Sequence, residues 1–362
     1  MDVKLHKLQV TNFRNLNSDI YEFSDNINCI FGNNGNGKTN ILEAIHFLVN
    51  RKSFRKNTAF PQIISIESEQ PEILFSSILK EEGNTFPYTG KWSLKNHEWF
   101  IDNTPTKKKP NLNTVFINPF DSYLFHSVPS FRRDWFDTLF SKLSSPYKKI
   151  LKQFNDSLKF RNNLLSKRPP QYREQIEAIN PTLAENTFNL LKLRYEYIKD
   201  LESYCTQIFK DIFHEEHVLK INMDSKFRDK SIQEIINYYN ESLQKDEIMF
   251  KTHYGIHRDD YVLQFDGFNS YEYCSLGQQK MSFLSLIFAY IELFRYKFTS
   301  YPIVLIDDVS GELDSRRWKN LIDYLQDKKF QVMITTANEN FREKLESIEE
   351  SKKFYIENGF II

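Results

Sequence analysis

The spacing of apolar positions changes character three times along the chain. In the first 50 residues Lys4 to Val10 alternates loosely, Ile27 to Phe31 is a short apolar run, and positions 41, 42, 45, 48 and 49 fall on one helical face. This pattern predicts two strands, a loop and a helix over Asn40 to Asn50. Between 60 and 118, short aromatic and β-branched runs broken by proline and glycine predict a β-rich segment packed on that first unit. From 182 to 254 there is neither proline nor glycine, and Phe188, Leu191, Tyr195, Ile198, Leu201, Cys205, Ile208 and Ile212 step by three and four. A helix of about 30 residues there would be roughly 45 Å long. Its pattern suits a core helix of a bundle and a projecting arm equally.

After Gly255 the period changes again, predicting a helix over about 278–296, a strand at Ile303 to Ile306, a helix near 316–326 and a strand at Gln331 to Thr335. Strands alternating with helices at both ends, around a helical middle, predict an α/β fold with one domain assembled from both termini and a helical insertion. The expected divisions are 1–130, 131–250 and 251–362.

Composition narrows this picture. With 362 residues and 40% apolar positions the chain can bury two substantial cores. Lysine plus arginine equal aspartate plus glutamate at 48 each, so an anionic partner must be met by local basic clusters rather than by a global field. Cys29, Cys205 and Cys274 stand far apart without a CxxC pair, which argues against a zinc site or a disulfide framework and for a reducing compartment. The start, Met1 to Leu5, lacks an apolar signal core, and the longest apolar stretch, Met281 to Phe294, is interrupted by Ser285 and Glu292. A soluble, cytoplasmic protein with no membrane association is expected.

Glycine is scarce, at 10 residues, yet three fall within six positions. They belong to Gly32-Asn33-Asn34-Gly35-Asn36-Gly37-Lys38-Thr39, a full match to G-x-x-x-x-G-K-[ST]. The motif follows an apolar strand and opens a helix, so backbone N–H groups and the helix N-terminus would cradle a polyphosphate. Lys38 would reach the β- and γ-phosphates of ATP, and the Thr39 hydroxyl would take Mg²⁺. A P-loop of this kind needs a carboxylate at the end of a neighbouring strand. The run from Ile303 to Ile306 ends in Asp307 and Asp308, the first placed as Mg²⁺ partner and the second as general base toward an attacking water. Upstream, Ser275, Gly277 and Gln278 stand where ABC-type ATPases carry the signature that grips the γ-phosphate held by an opposing subunit, and Gly311 to Asp314 follows as a D-loop would.

These motifs, with Asn12-Phe13-Arg14-Asn15, Lys52-Ser53-Phe54-Arg55, Phe131-Arg132-Arg133, Arg161-Asn162-Asn163 and His257-Arg258-Asp259-Asp260, resemble those of the RecF family of recombination mediator ATPases, relatives of SMC heads. The resemblance runs through most of the chain. It implies an ABC-type P-loop ATPase head with a helical second lobe, a weak ATPase in which ATP times dimerisation, and an ATP-dependent homodimer. It also implies binding to double-stranded DNA near single-strand gap junctions and work with RecO and RecR to load RecA in replication, repair and the SOS response. Arg14 would contact the nucleotide, and Asp314 would belong to the trans-acting site. Leu276 departs from the usual polar or glycine residue of the signature, and Asp308 replaces the glutamate typical of ABC ATPases.

The residues offer three basic runs for DNA: Arg51, Lys52, Arg55 and Lys56 around Phe54, then Lys107 to Lys109, and the pair Arg132-Arg133. The first is the expected DNA contact. A second reading of the chain is an ATPase head that serves a nuclease or defence effector, with DNA held by a partner.

Overall fold

Four short apolar runs, Ile27–Phe31, Thr114–Ile117, Ile303–Asp307 and Val332–Thr336, and the more polar Ser351–Glu357 pair in parallel into one sheet of the computed structural model, which describes residues 3–55, 58–68, 71–308, 314–327 and 330–362. Every residue of Ile27–Phe31, Ile303–Asp307 and Val332–Thr336 is buried, as expected of strands covered on both faces, which read as continuous apolar runs rather than alternations. Ile27–Phe31 lies between Val332–Thr336 and Ser351–Glu357; Ile303–Asp307 and then Thr114–Ile117 follow beyond Val332–Thr336. The terminal strand Phe360–Ile361 turns back antiparallel on Ser351–Glu357.

The chain divides into two units. The first holds residues 1–121, 211–213 and 294–362 and contains the parallel sheet. It also contains an antiparallel sheet of six strands, in which Val3–Thr11 pairs with Glu72–Glu81 and Asn84–Ser93 follows. The expected β-rich segment is this sheet. The helix Lys38–Asn50 buries ten of its 13 residues, and aromatic rings gather against it: Phe47 stacks on Phe75 and on Trp92, and Phe13 meets both phenylalanines edge-on.

The second unit holds 122–210 and 214–293. It therefore runs past the expected break at 250, because Asp260–Phe265 pairs along its whole length with Leu219–Asp224. That second strand was expected to be part of a helical middle. Its alternation of buried and exposed residues is clear once seen, but it is six residues long and follows a helix whose periodicity dominates the window. The helix itself runs from Tyr172 to Phe213, 42 residues, and passes through Pro181. Its face from Ile176 through Leu183, Leu190, Ile198 and Cys205 to Phe209 is buried, so it is a core helix of this unit.

Three buried arginines are spent on holding this unit together. Arg161 donates to Asn180, Asp246, Thr252 and the Tyr239 carbonyl. Arg194 donates to Asp137 and Tyr147, and Arg132 forks onto Asp260 while also donating to the carbonyls of Phe125 and His126. Each guanidinium is thus paired and hydrogen-bonded, the condition under which a buried charge is tolerated. Arg133 donates to the Asp259 carbonyl. Arg132 is therefore structural and is removed from the candidate DNA surface, while Arg133 stays half-buried beside it. Arg258, by contrast, is exposed, and its neighbours Asp259 and Asp260 pair with other arginines.

Asp259 is the least well compensated of these groups. Tyr254 donates to Oδ1 at 3.0 Å, but Oδ2 has no hydrogen-bond partner and stays 4.0 Å from Arg194. Burial pushes its carboxyl up to about 6, from an ordinary 3.8. The folded state then holds this proton more tightly than the unfolded chain, so the contribution is complete below about pH 4 and is lost as pH rises through 6. Asp259→Asn is expected to flatten that window, gaining on the parent by on the order of 1–3 kcal/mol between pH 4 and pH 7. Urea melts of both proteins at the two pH values check it.

Candidate functional site

The P-loop leaves the end of Ile27–Phe31 and enters the helix at Lys38. At Gly32 the backbone has φ 153°, and a Cβ there would lie 2.3 Å from the Ile356 carbonyl oxygen. Only glycine lets the loop leave the strand so close to its neighbour. Side chains fix the rest of the loop. Asn36 donates to the Ile356 carbonyl at 3.0 Å, and Asn15 donates to the Gly35 carbonyl at 3.2 Å while accepting from Asn40 at 2.7 Å.

Lys38 turns back over this loop. Its Nζ donates to the carbonyls of Gly32 at 2.7 Å and Asn33 at 2.9 Å. Burial lowers its pKa, opposed by the nearby carboxylates of Asp308 and Asp307. A cavity of about 340 Å³ opens beside it, lined by Asn34, Gly35, Gly37, Lys38, Thr39 and Asn40, with Arg55, Asn118, Phe120, Asp307 and Asp308. The loop thus faces an open space where cationic and amide groups meet the carboxylates of Asp307 and Asp308.

Asp307 sits two strands from the P-loop strand rather than on its immediate neighbour. Val332–Thr336 lies between them, and Asp307, Thr335 and Ile30 stand level across the three strands. Thr39 Oγ1 donates to the Asp307 carboxylate at 2.9 and 3.0 Å, and Thr335 Oγ1 donates to it at 2.7 Å. The backbone N–H of Asp308 is held by the carbonyl and hydroxyl of Thr335 at 3.2 and 3.1 Å, with φ 38°. Thr335 therefore orients both acidic residues. The sequence pointed to Thr335 only as the end of a strand; its level with Asp307 needed the strand register.

A hydroxyl and a carboxylate oxygen this close are hard donors suited to Mg²⁺. No cluster of three or more acidic, histidine or cysteine side chains that could hold a metal occurs among the described residues.

Arg14 and Arg55 converge on Glu43, whose side chain is fully buried. Arg14 forks onto both Glu43 oxygens at 2.9 and 3.1 Å and also donates to the Gln62 carbonyl. Arg55 lies 3.3 Å from Glu43 and donates to Asn40, and Ser53 donates to Glu43 at 2.6 Å. Glu43 was missed in the sequence because it occupies a helical position among apolar neighbours without a motif of its own. Its pairing changes the reading of Arg55, expected on DNA, which here lines the cavity beside the P-loop.

The remaining expected DNA residues divide similarly. Lys52 is exposed; Arg51 donates to the carbonyls of Lys107 and Lys108; Lys56 lies outside the described residues.

In the second unit, Ser275 and Gln278 form a reciprocal cap at the start of the helix Leu276–Phe298: Gln278 N–H donates to Ser275 Oγ at 3.3 Å, and Ser275 N–H donates to Gln278 Oε1 at 2.9 Å. Ser275 and Leu276 are exposed, Gly277 half-buried. The cap presents a hydroxyl and a helix N-terminus to solvent. Asp314 caps the helix Ser315–Asp327, accepting from Arg317 N–H at 2.9 Å; Gly311 to Leu313 lie outside the described residues.

Comparison with known proteins agrees with this geometry. Residues 4–359 match the RecF/RecN/SMC N-terminal domain model. The DNA replication and repair protein RecF of Oenococcus oeni is 31% identical over 99% of each chain, and that of Clostridium tetani is 30% identical over 97% of each. Among solved structures, the recombination mediator protein RecF of the RecFOR pathway with ATP superimposes with a TM-score of 0.82 at 25% identity, covering 100% of this chain and 99% of the other. The Smc head domain of Pyrococcus furiosus with an extended coiled coil, at 12% identity and a TM-score of 0.56 over 99% and 95%, shares the fold. No helix among the described residues is long and apolar enough to cross a membrane.

Proposed function

The chain belongs to the RecF family of DNA replication and repair proteins, and from that membership we propose that it is an ATP-dependent DNA-binding recombination mediator with weak ATPase activity. The observation that carries this is the union of Lys38, Thr39, Asp307 and Asp308 around one cavity. Lys38 Nζ exchanges its two loop carbonyls for oxygens of the β- and γ-phosphates when ATP enters, while the backbone amides of the loop and the helix N-terminus bind the rest of the anion. Thr39 and Asp307 would hold Mg²⁺, which supplies charge neutralisation on the phosphates. Asp308, oriented through its backbone by Thr335, accepts the proton of the attacking water. Its short side chain reaches less far than a glutamate would, in keeping with slow turnover.

Ser275, Gly277 and Gln278 would complete the site of a second copy, with the exposed Ser275 hydroxyl meeting the γ-phosphate, so that ATP closes a homodimer and hydrolysis opens it. The closed dimer would bind duplex DNA near single-strand gaps and, with RecO and RecR, promote RecA loading in repair and the SOS response. Light scattering with and without ATP, combined with gapped-duplex binding, tests the reading. A doubled mass and raised DNA affinity on adding ATP are expected; a protein that stays monomeric with saturating ATP contradicts it.

A further inference from the structure

Two basic runs separated by 50 residues meet at one place in the first unit, and a single arginine joins them. Arg51 ends the helix Lys38–Asn50 in a left-handed conformation, φ 56°, with its N–H donating to the Phe47 carbonyl at 2.7 Å. That geometry sends its side chain across to the loop after Thr104–Pro105. Nη1 donates to the Lys107 carbonyl at 3.0 Å, Nη2 to the Lys108 carbonyl at 2.6 Å, and Nε to the Tyr88 hydroxyl at 3.3 Å. From the other side, Lys109 Nζ donates to the Asn50 carbonyl at 2.6 Å.

The pedestal under this contact is rigid. The guanidinium lies 5.0 Å from the centre of the Trp99 ring, and Trp99 stacks on Tyr88. Trp99 in turn lies flat on Gly90, where a Cβ would come within 2.4 Å of the ring. Thr106 N–H donates to the Trp99 carbonyl, Lys108 N–H donates to Thr106 Oγ1, and Pro110 is buried beyond them. The lysine run is thus a pinned turn. Lys52, Lys107 and Lys108 are exposed around it.

We propose that Lys52, Lys107 and Lys108 form one phosphate-binding face for the nucleic-acid backbone, and that Arg51 is its positioning residue rather than a phosphate contact. The proposal rests on the DNA-binding reading above and changes its residues. Arg51 has spent its guanidinium on two carbonyls and a hydroxyl, a fork that a lysine ammonium cannot reproduce. Lysines on a fixed turn need no backbone ordering on binding, and point charges without base-reading geometry suit contact that is independent of sequence.

Duplex affinity in the presence of ATP, measured between about 50 and 200 mM salt, tests this. Lys107→Gln with Lys108→Gln is expected to lower the slope of log affinity against log salt by about 2, at roughly 0.9 per lost contact. Exchanging two exposed lysines of the second unit, Lys192→Gln with Lys199→Gln, should leave the slope unchanged. Arg51→Lys keeps the charge yet should weaken affinity to a similar degree, and should add little when combined with the lysine pair, while ATP affinity stays at the parent value. An unchanged slope in the lysine pair, with the parent binding DNA, overturns the inference and leaves the DNA-binding reading standing. Full additivity of Arg51→Lys also overturns it, since independent contacts add. If Arg51→Lys does not fold, the slope of the lysine pair decides alone. A parent without DNA affinity removes the reading beneath it.

Discussion

Lys38→Met is expected to lose at least 100-fold in ATP affinity while folding as the parent does. Methionine keeps an unbranched stem of similar reach but carries no charge and no N–H donors, so what disappears is the group that the loop carbonyls of Gly32 and Asn33 now hold at 2.7 and 2.9 Å. The unliganded protein loses two hydrogen bonds at a buried side chain, a change of about 1 kcal/mol once the desolvation cost of the ammonium goes with it. The complex loses a charge-assisted contact to a polyphosphate, for which about 2.7 kcal/mol, or 100-fold, is the lower end expected. Thermal melts separate the two. At an ATP concentration 100 times the parent's Kd, the parent gains about 2.7 kcal/mol of apparent stability, and a variant bound 100-fold more weakly gains only about 0.4 kcal/mol under the same conditions. At roughly 2–4 °C per kcal/mol for a unit of this size, the parent's transition moves by several degrees and the variant's by about one. A variant whose melt responds to ATP as the parent's does would remove Lys38 from the phosphate site. Dimerisation on ATP should fail in the same variant, because it depends on the same bound nucleotide.

The parts of this site that were legible in the chain are those whose chemistry forces a local spelling. Close approach at Gly32 requires glycine, a helix entered at a phosphate requires the Lys38-Thr39 pair just inside it, and a buried parallel strand requires an apolar run such as Ile303 to Ile306 before its acidic end. The parts that were not legible depend on register between distant segments. Thr335 reaches Asp307 only because Val332–Thr336 inserts beside Ile303–Asp307 with those two residues level. Glu43 looks like a polar interruption of a helical face until Arg14 and Arg55 arrive from two other segments. The basic runs show the same limit in reverse: local composition found them all, but contacts with distant segments turned Arg132 into a structural fork, Arg55 into a wall of the nucleotide cavity and Arg51 into a brace. Charge on a sequence marks a side chain that needs a partner, and only the fold says whether the partner is inside the molecule.

Gly359→Ala is expected to damage both stability and ATP binding, although it lies far along the chain from the P-loop. Gly359 forms the turn between Ser351–Glu357 and Phe360–Ile361 with φ 86°, and its N–H donates to the Asn36 carbonyl of the P-loop at 3.0 Å while its own carbonyl accepts from Asn17 N–H at 3.0 Å. A Cβ at this position would stand 1.8 Å from the backbone oxygen of Asn15, the residue that also donates to Gly35. The terminal turn therefore braces the P-loop from one side and the Asn15 segment from the other. An alanine must either force the turn away from both or push Asn15 off the loop. Gly83 supplies the comparison, since it sits in a turn of the same unit with φ 84° and nothing within 4 Å of a Cβ. Gly83→Ala meets only the left-handed backbone penalty, about 1 kcal/mol. Gly359→Ala meets that penalty and the clash, and a total of at least about 3 kcal/mol is expected from combined strain and lost hydrogen bonds. Urea melts of the two variants give the difference. Under conditions where Gly359→Ala remains folded, its ATP affinity should fall by roughly tenfold, about 1.4 kcal/mol, as the loop amides lose their fixed orientation, while Gly83→Ala binds ATP as the parent does. Equal melts for the two variants would show that the turn yields without cost and that the P-loop is held by Asn15 and Asn36 alone.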